Sequence, residues 1–170
     1  ETALRVESID LEAATLPGLH PGRGARVLAG GVDIGVVGEL DPVIATGHGL
    51  DQAMYLELDV DALLAAPRRS PVALPVSSFP PVNFDLAFVV ADTVAAAAVA
   101  ATIEHAGGAL VESCRLFDEF RSESLGAASR SLAFALRCRA LDRTLTDAEV
   151  KPLRQAIIDA VVAAHDAPLR

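Results

Sequence analysis

Apolar and polar residues alternate from Phe84 to Val90, with Leu86, Phe88 and Val90 on one face and Asp85, Ala87 and Val89 on the other. That period of two predicts a half-buried strand. Asp92 or Thr93 is then placed to cap an Ala-rich helix that Gly107–Gly108 terminates. Ala109 to Phe120 reads as a strand, residues 121–128 as a polar loop, and Ser129 to Ala140 as the partner strand. Thr146-x-x-Glu149 is a capping box opening a helix to about His165, and Pro168-Leu169-Arg170 leaves room for a last short strand. The order is β-α-β-β-α-β, the split βαβ or ferredoxin-like arrangement.

The first half has a different texture, rich in glycine and β-branched residues. Arg26 to Leu28 reads as a short strand, Gly30–Gly31 as a hairpin turn and Val32 to Leu40 as the returning strand, ended by Asp41–Pro42. Ala53 to Asp59 alternates as another strand, and VDALLAA continues as a short helix. Between the halves, residues 66–81 (APRRSPVALPVSSFPP) hold five prolines and suit an extended linker, with a boundary at Leu74 to Ser78.

Composition narrows the functions. A hydrophobic share of 52% over 170 residues is ample for a buried core, but aromatics are 4% and Trp is absent, so the core must be built from Ala, Val, Leu and Ile with a few Phe. The longest uncharged helical run, Thr93 to Ile103, is too short for a bilayer, and no secretory signal opens the chain. The opening ETALRVESIDLEAA reads as the interior of a larger protein. Cys114 and Cys138 lack metal-ligand spacing and fall on predicted strands, which suits reduced, buried thiols and a cytoplasmic setting.

A net charge of −9 argues against a simple nucleic-acid binder. The charge is uneven, however. Residues 1–75 hold 11 acids against 5 bases, whereas residues 76–170 hold 12 acids against 9 bases, eight of them Arg. Other candidate chemistry is thin. His20-Pro21-Gly22-Arg23 has no partner at metal spacing and reads as a Pro-Gly turn before a strand. GGVDIGVVG lacks the strand–loop–helix setting of a dinucleotide loop and reads as a hairpin. Asp118, Glu119 and Glu123 read as a solvated turn.

Specific stretches carry a resemblance. FPPVNFDLAFVV, LFDEFRS, ASRSLAFALRCRALDRTLTDAEV and AAHDAPLR resemble the ferredoxin-fold anticodon-binding domain that closes bacterial phenylalanyl-tRNA synthetase β chains, over about residues 77–170. Upstream, LHPGRGARVL, DIGVVGELDP and YLELDVDALL resemble the end of the same chain's synthetase-like core domain, a catalytically inactive relative of class II synthetase domains. Two departures stand out: Phe84 sits where the family often has a basic or polar residue, and Asp41 replaces the His of a common GELHP pattern.

The resemblance implies an α+β chain with two modules. Residues 1–75 would be the mainly antiparallel remnant of the truncated core domain with its linker, and residues 76–170 the ferredoxin-like βαββαβ anticodon-binding domain. The implied parent is an α2β2 phenylalanine–tRNA ligase that uses ATP and Mg2+ to charge tRNA(Phe), with its catalytic site in the α subunit. No catalytic residue, metal or cofactor is then expected in this chain.

Strand alternation nominates an RNA surface. Two helices cover one face of a ferredoxin-like sheet and leave the other open. Leu132, Phe134, Leu136 and Cys138 form the apolar row that should meet the helices, leaving Ser131, Ala133, Arg137 and Arg139 on the open face. On the preceding strand, Cys114 and Leu116 should face the helices, and Arg115 and Phe117 the open side. An exposed aromatic among arginines is a stacking platform for unpaired bases, with guanidinium groups for phosphates. Arg121 and Arg143 join the set at the loop edges. Two readings stay open: Phe117 could pack on a neighbouring domain and the arginines pair with carboxylates, or the surface could bind RNA, as the resemblance implies. A structural module holding subunits together is the rival at the level of the whole chain.

Overall fold

A computed structural model describes residues 5–70, 77–126 and 128–170. The chain divides into two compact units, Glu1–Ala73 and Leu74–Arg170. Of the expected linker at 66–81, residues 71–76 lie outside the described residues, and with them much of the expected boundary at Leu74 to Ser78.

The first unit is a four-stranded antiparallel sheet in the order β1-β2-β3-β4, formed by Ile9–Ala13, Leu19–Ala29, Val32–Leu40 and Met54–Leu58. The expected hairpin is present at Gly30–Gly31, whose φ values of 56° and 81° meet the positive-φ demand of a tight two-residue turn. Three features were not legible in the pattern. Strand β1 is exposed along most of its length, so its alternation is weak. Strand β2 begins at Leu19 rather than Arg26, and His20–Arg23 lies in an irregularity of the β2–β3 register between Leu19 and Gly24 rather than in a turn before a strand. Asp41–Pro42 ends β3 as expected and also opens a short helix α1, Pro42–Gly47, with Asp41 accepting from the Val43 N–H at 2.8 Å. Helix α2, Val60–Ala65, is capped by Asp59 and lies over a small core of Val6, Val27, Ala29, Ile34 and Ala66.

The second unit has the expected order. Strand β5 (Val82–Ala91), helix α3 (Ala96–Gly107), strands β6 (Val111–Phe120) and β7 (Ser129–Cys138), and helix α4 (Asp147–His165) follow one another. The sheet runs β5-β7-β6, all antiparallel. Leu169 bridges to Phe88 on the free side of β5, where the Arg170 N–H donates to the Ala87 carbonyl at 2.8 Å. The expected terminal strand is therefore this single bridge.

The helix-facing row follows the alternation. Leu86, Phe88, Val90, Leu132, Phe134, Leu136 and Cys138 are all buried, packed with Val99, Ile103, Ile157 and Val161 of the two helices. Each large apolar side chain fully buried there favours the fold by about 1.5–3 kcal/mol. Helix α4 starts at the expected box: the Thr146 N–H and hydroxyl both donate to Glu149 Oε2, at 3.0 and 2.9 Å. Helix α3 starts later than the sequence suggests, after Ala95, with no side-chain cap. The chain needs a turn over residues 92–95 to pass from the sheet to the helix layer, and the Asp92 carboxylate is held by Arg121 at 2.6 Å instead of capping the helix.

Candidate nucleic-acid interface

The helices cover one face of the second sheet, and the other face follows from the register. Asn83, Asp85, Ala87, Val89 and Ala91 of β5 lie opposite Arg137, Ala135, Ala133, Ser131 and Ser129 of β7. On the far side of β7, Ser113, Arg115, Asp118 and Phe120 of β6 pair with Arg137, Ala135, Ala133 and Ser131. The middle of this face is a floor of small side chains, Ala87, Ala133 and Ala135, flanked by Asp85 and Asp118, with Arg115, Arg137 and Phe120 beyond them.

Strand β6 is bulged twice, and the bulges decide what the face presents. Its register against β7 shifts between Val111 and Ser113 and again between Leu116 and Asp118, making Glu112 and Phe117 the extra residues. A bulge re-aims side chains and resets the alternation beyond it. Strict alternation from Arg115 puts Phe120 on the helix side. The bulge at Phe117 brings Phe120 opposite Ser131 on the open face instead.

Phe120 is therefore a candidate site residue that sequence reasoning missed, and Arg170 is another. The Arg170 guanidinium carbon lies 4.7 Å from the centre of the Phe120 ring, a cation–π contact spanning the open face from the β5 side to β6. Ser131, expected to be exposed, is only 2% accessible, because it sits on the central strand between Val89 and Phe120. Leu116 pairs with Phe134 on the helix side as expected, yet remains 40% exposed at the sheet edge. The signal for the bulge, a break in the alternation at Phe117-Asp118-Glu119, does not say which residue is extra.

The six nominated residues do not form one cluster. Arg137 and Arg139 lie toward the end of the sheet where β5 and β6 begin, Arg115 and Phe117 lie near its middle, and Arg121 follows β6 at the opposite end. Six residues of β7 separate the levels of Ser131 and Arg137, about 20 Å along the strand. Arg143 belongs to the start of α4, bonded to Glu149 at 2.9 Å and to Asp142 at 2.8 Å. Its guanidinium is held by the helix cap rather than presented on the open face.

Charge pairing differs sharply among the arginines. Among the described residues Arg115 makes no ion pair and no side-chain hydrogen bond, and it is exposed. Arg121 pairs with Asp92 at 2.6 Å and Glu119 at 3.1 Å, and the Asp92 hydrogen bond raises its pKa. Arg137 donates from Nε to Glu112 Oε2 at 2.8 Å, and Arg139 Nε lies 3.0 Å from the same oxygen. The Arg137 hydrogen bond outweighs partial desolvation and holds the Glu112 carboxyl below its usual range. Arg139 is 16% accessible and also donates from Nη1 to the Ser77 carbonyl at 3.1 Å, which ties the start of the domain to the end of β7. Phe117, by contrast, is 47% exposed.

Elsewhere the polar groups read as structure. Both thiols are free, and burial pushes Cys114 up to about 11. His20 Nδ1 accepts from the Gly22 N–H at 3.1 Å, within its own loop. A cleft of about 370 Å³ in the first unit is lined by Leu16, Leu19, Val36, Leu40 and Ile44, with Tyr55 and Glu57 hydrogen-bonded to each other on its wall. Among the described residues no helix is long and apolar enough to cross a membrane.

Similarity to known proteins follows the same division. Residues 77–170 match the model of the ferredoxin-fold anticodon binding domain, and residues 2–60 that of the phenylalanyl tRNA synthetase beta chain CLM domain. The chain is similar to the phenylalanine–tRNA ligase beta subunit of Corynebacterium glutamicum, 44% identical over 154 residues, covering 88% of this chain and 18% of the relative. It is 38% identical over 157 residues to that of Trichormus variabilis, covering 89% and 19%. The counterpart from Shouchella clausii is 35% identical over 170 residues, covering 100% and 21%. The chain thus spans about a fifth of the length of the relatives it matches. With more than half of its residues matched by one model, this chain belongs to the ferredoxin-fold anticodon binding domain family, in the form found in phenylalanine–tRNA ligase beta subunits.

Proposed function

We propose that the second unit binds the anticodon region of tRNA(Phe) on its open sheet face. The observation that carries this reading is the exposed aromatic pair Phe117 and Phe120, with Arg170 stacked on the latter and the unpaired Arg115 on the same strand. Unpaired anticodon bases have exposed π-faces, and an exposed ring flanked by guanidinium planes stacks on them whatever their identity. The floor of Ala87, Ala133 and Ala135, between Asp85 and Asp118, leaves room for a base to lie flat over the sheet. Arg115 and Arg137, about 13 and 20 Å along the sheet from the Phe120 level, are placed to meet the phosphates of the same loop. Arg139, Arg121 and Arg143 act mainly by holding the scaffold, because their guanidinium groups are taken up by Ser77, Glu112, Asp92, Glu119 and Glu149.

The parent reaction is attachment of phenylalanine to tRNA(Phe) with ATP and Mg2+, in an enzyme completed by a catalytic α subunit as an α2β2 assembly in the cytoplasm. This chain contributes recognition rather than bond-making. Among its described residues no group of three or more His, Cys, Asp or Glu side chains is placed to hold a metal ion. On this reading ATP and Mg2+ act in other parts of the parent.

A second reading applies to the first unit. Leu11, Met54 and Leu56 are 64%, 70% and 60% exposed on strands β1 and β4, an apolar surface suited to packing within a longer protein. On this reading the first unit is a structural module that holds domains or subunits together.

One titration separates the readings: binding of the chain to tRNA(Phe) and to an anticodon-altered tRNA across a salt series. Preference for the native anticodon, weakened by salt, supports recognition. Absence of RNA binding at low salt together with salt-insensitive self-association supports the structural role instead.

A further inference from the structure

Two arginines at one end of the open face converge on a single carboxylate oxygen. Arg137 Nε and Arg139 Nε lie 2.8 and 3.0 Å from Glu112 Oε2. Arg137 and Glu112 are about equally open, with side chains 45% and 43% accessible, whereas Arg139 sits behind them at 16%. Among the described residues the terminal nitrogens of Arg137 make no hydrogen bond. Glu112 is itself the extra residue of the first β6 bulge, so the backbone irregularity is what brings its carboxylate to the two guanidinium groups. An oxygen anion bracketed by two arginines occupies the place that a phosphate oxygen takes in arginine–phosphate recognition.

We propose that Arg137, backed by Arg139, is a phosphodiester-binding site of the open face, and that Glu112 is a built-in competing anion that yields when RNA binds. The inference rests on the RNA-binding reading above and adds how its electrostatic end is controlled. The consequence is a tuned contact. An exposed ion pair of this kind shifts an equilibrium by only about 1.5- to fivefold, so a nucleic acid offering several phosphates displaces it while a free anion gains little. Glu112 also places a negative charge beside any incoming phosphate, which weakens binding to RNA that engages this site alone. Selectivity then falls to RNAs that reach the aromatic platform about 20 Å away as well.

The test uses the whole chain and a labelled anticodon stem-loop of tRNA(Phe), with wild type, Glu112→Gln, Arg137→Gln, the double variant and Phe120→Leu titrated over a salt series. Glu112→Gln is expected to tighten binding about 1.5- to fivefold at low salt. The slope of log affinity against log salt should fall in magnitude by about 0.7 in Arg137→Gln, which loses one phosphate contact on a single strand, and stay near the wild-type value in Glu112→Gln. In the Arg137→Gln background the same change should do almost nothing. Equal tightening in that background would mean that Glu112 acts only through net charge, and the assignment would fall. Unchanged or weaker binding by Glu112→Gln, while Phe120→Leu still lowers affinity, would sink the competing-anion role and leave RNA recognition standing. Wild type and Glu112→Gln both failing to bind at low salt would remove the RNA reading and this inference together. Arg137→Lys keeps charge and stem but loses the planar fork, and it replaces Arg137→Gln should that variant fail to fold.

Discussion

Replacing Phe120 by leucine tests the central geometric claim. The bulge at Phe117 is the reason this ring stands on the open face, opposite Ser131 and beneath the Arg170 guanidinium. Leucine preserves an apolar cover over Ser131 but has no π-face for a base or a cation. The ring is 42% exposed, so much of its surface is available to a ligand and comparatively little of it contributes to the core. Loss of one base–aromatic stack amounts to about 1–3 kcal/mol, a fall in affinity of roughly five- to 150-fold at 25 °C. The cost to the fold is smaller. An exposed cation–π contact contributes about 0.5–1 kcal/mol, which moves the melting midpoint of a domain this size by no more than about 8 °C. Fluorescence anisotropy with a labelled anticodon stem-loop reads the first quantity, and a circular-dichroism melt the second. The pattern expected is a large loss of affinity with a small loss of stability. If Phe120→Leu binds within about twofold of wild type while Phe117→Leu loses fivefold or more, the bulge does not place the platform and the reasoning from register is wrong.

Three further outcomes follow from individual positions. Gly35 has φ of 151°, and a Cβ there would stand 2.0 Å from the Glu57 carbonyl oxygen, so Gly35→Ala should destabilise the first unit by about 2 kcal/mol or more, read as lost amide-exchange protection in β3 and β4. Glu149 is held down to about 2, first by the Thr146 N–H and then by Arg143 and the Thr146 hydroxyl. Its folded value lies below its unfolded one, so its contribution is fully present above the ordinary value of 4.5 and fades as pH falls toward 2. The difference in melting midpoint between wild type and Glu149→Gln should accordingly shrink over that window, and a difference that stays constant from pH 6 to pH 2 would contradict the capping assignment. Cys114, pushed up to about 11 by burial, should react with an aromatic disulfide reagent at pH 8 at least tenfold more slowly than the same thiol in urea, with fully buried Cys138 slower still; equal native and unfolded rates would refute the burial argument.

Much of the second unit was readable along the chain because its signals are local. The alternation of Leu86, Phe88 and Val90 and of Leu132, Phe134, Leu136 and Cys138 requires only that each strand have one dry face, and all seven are buried. The Thr146–Glu149 box is a relation between residues three apart, so composition and spacing suffice for it. The paired glycines at 30 and 31 likewise need no partner to demand a positive φ. Local signals failed where a neighbour decided the outcome. Asp92 has the chemistry of a helix cap, but Arg121, 29 residues away in sequence, takes its carboxylate. Strand β1 shows little alternation because only its pairing with β2 makes it a strand.

The candidate site divides along the same line. That the second sheet would have a dry row and an open row, with arginines among the latter, is already present in the order of residues, since side chains alternate at a period set by the backbone. Which aromatic stands on the open face is not, because a bulge depends on how β6 meets β7, and one inserted residue transfers every later side chain to the opposite face. The state of each arginine is equally a matter of tertiary contact. Arg115 and Arg137 look alike along the chain, yet one is unpaired among the described residues and the other shares Glu112 with Arg139. Sequence periodicity determines a side chain's face through covalent geometry, whereas its electrostatic partner is set by strands that meet only after the chain has folded.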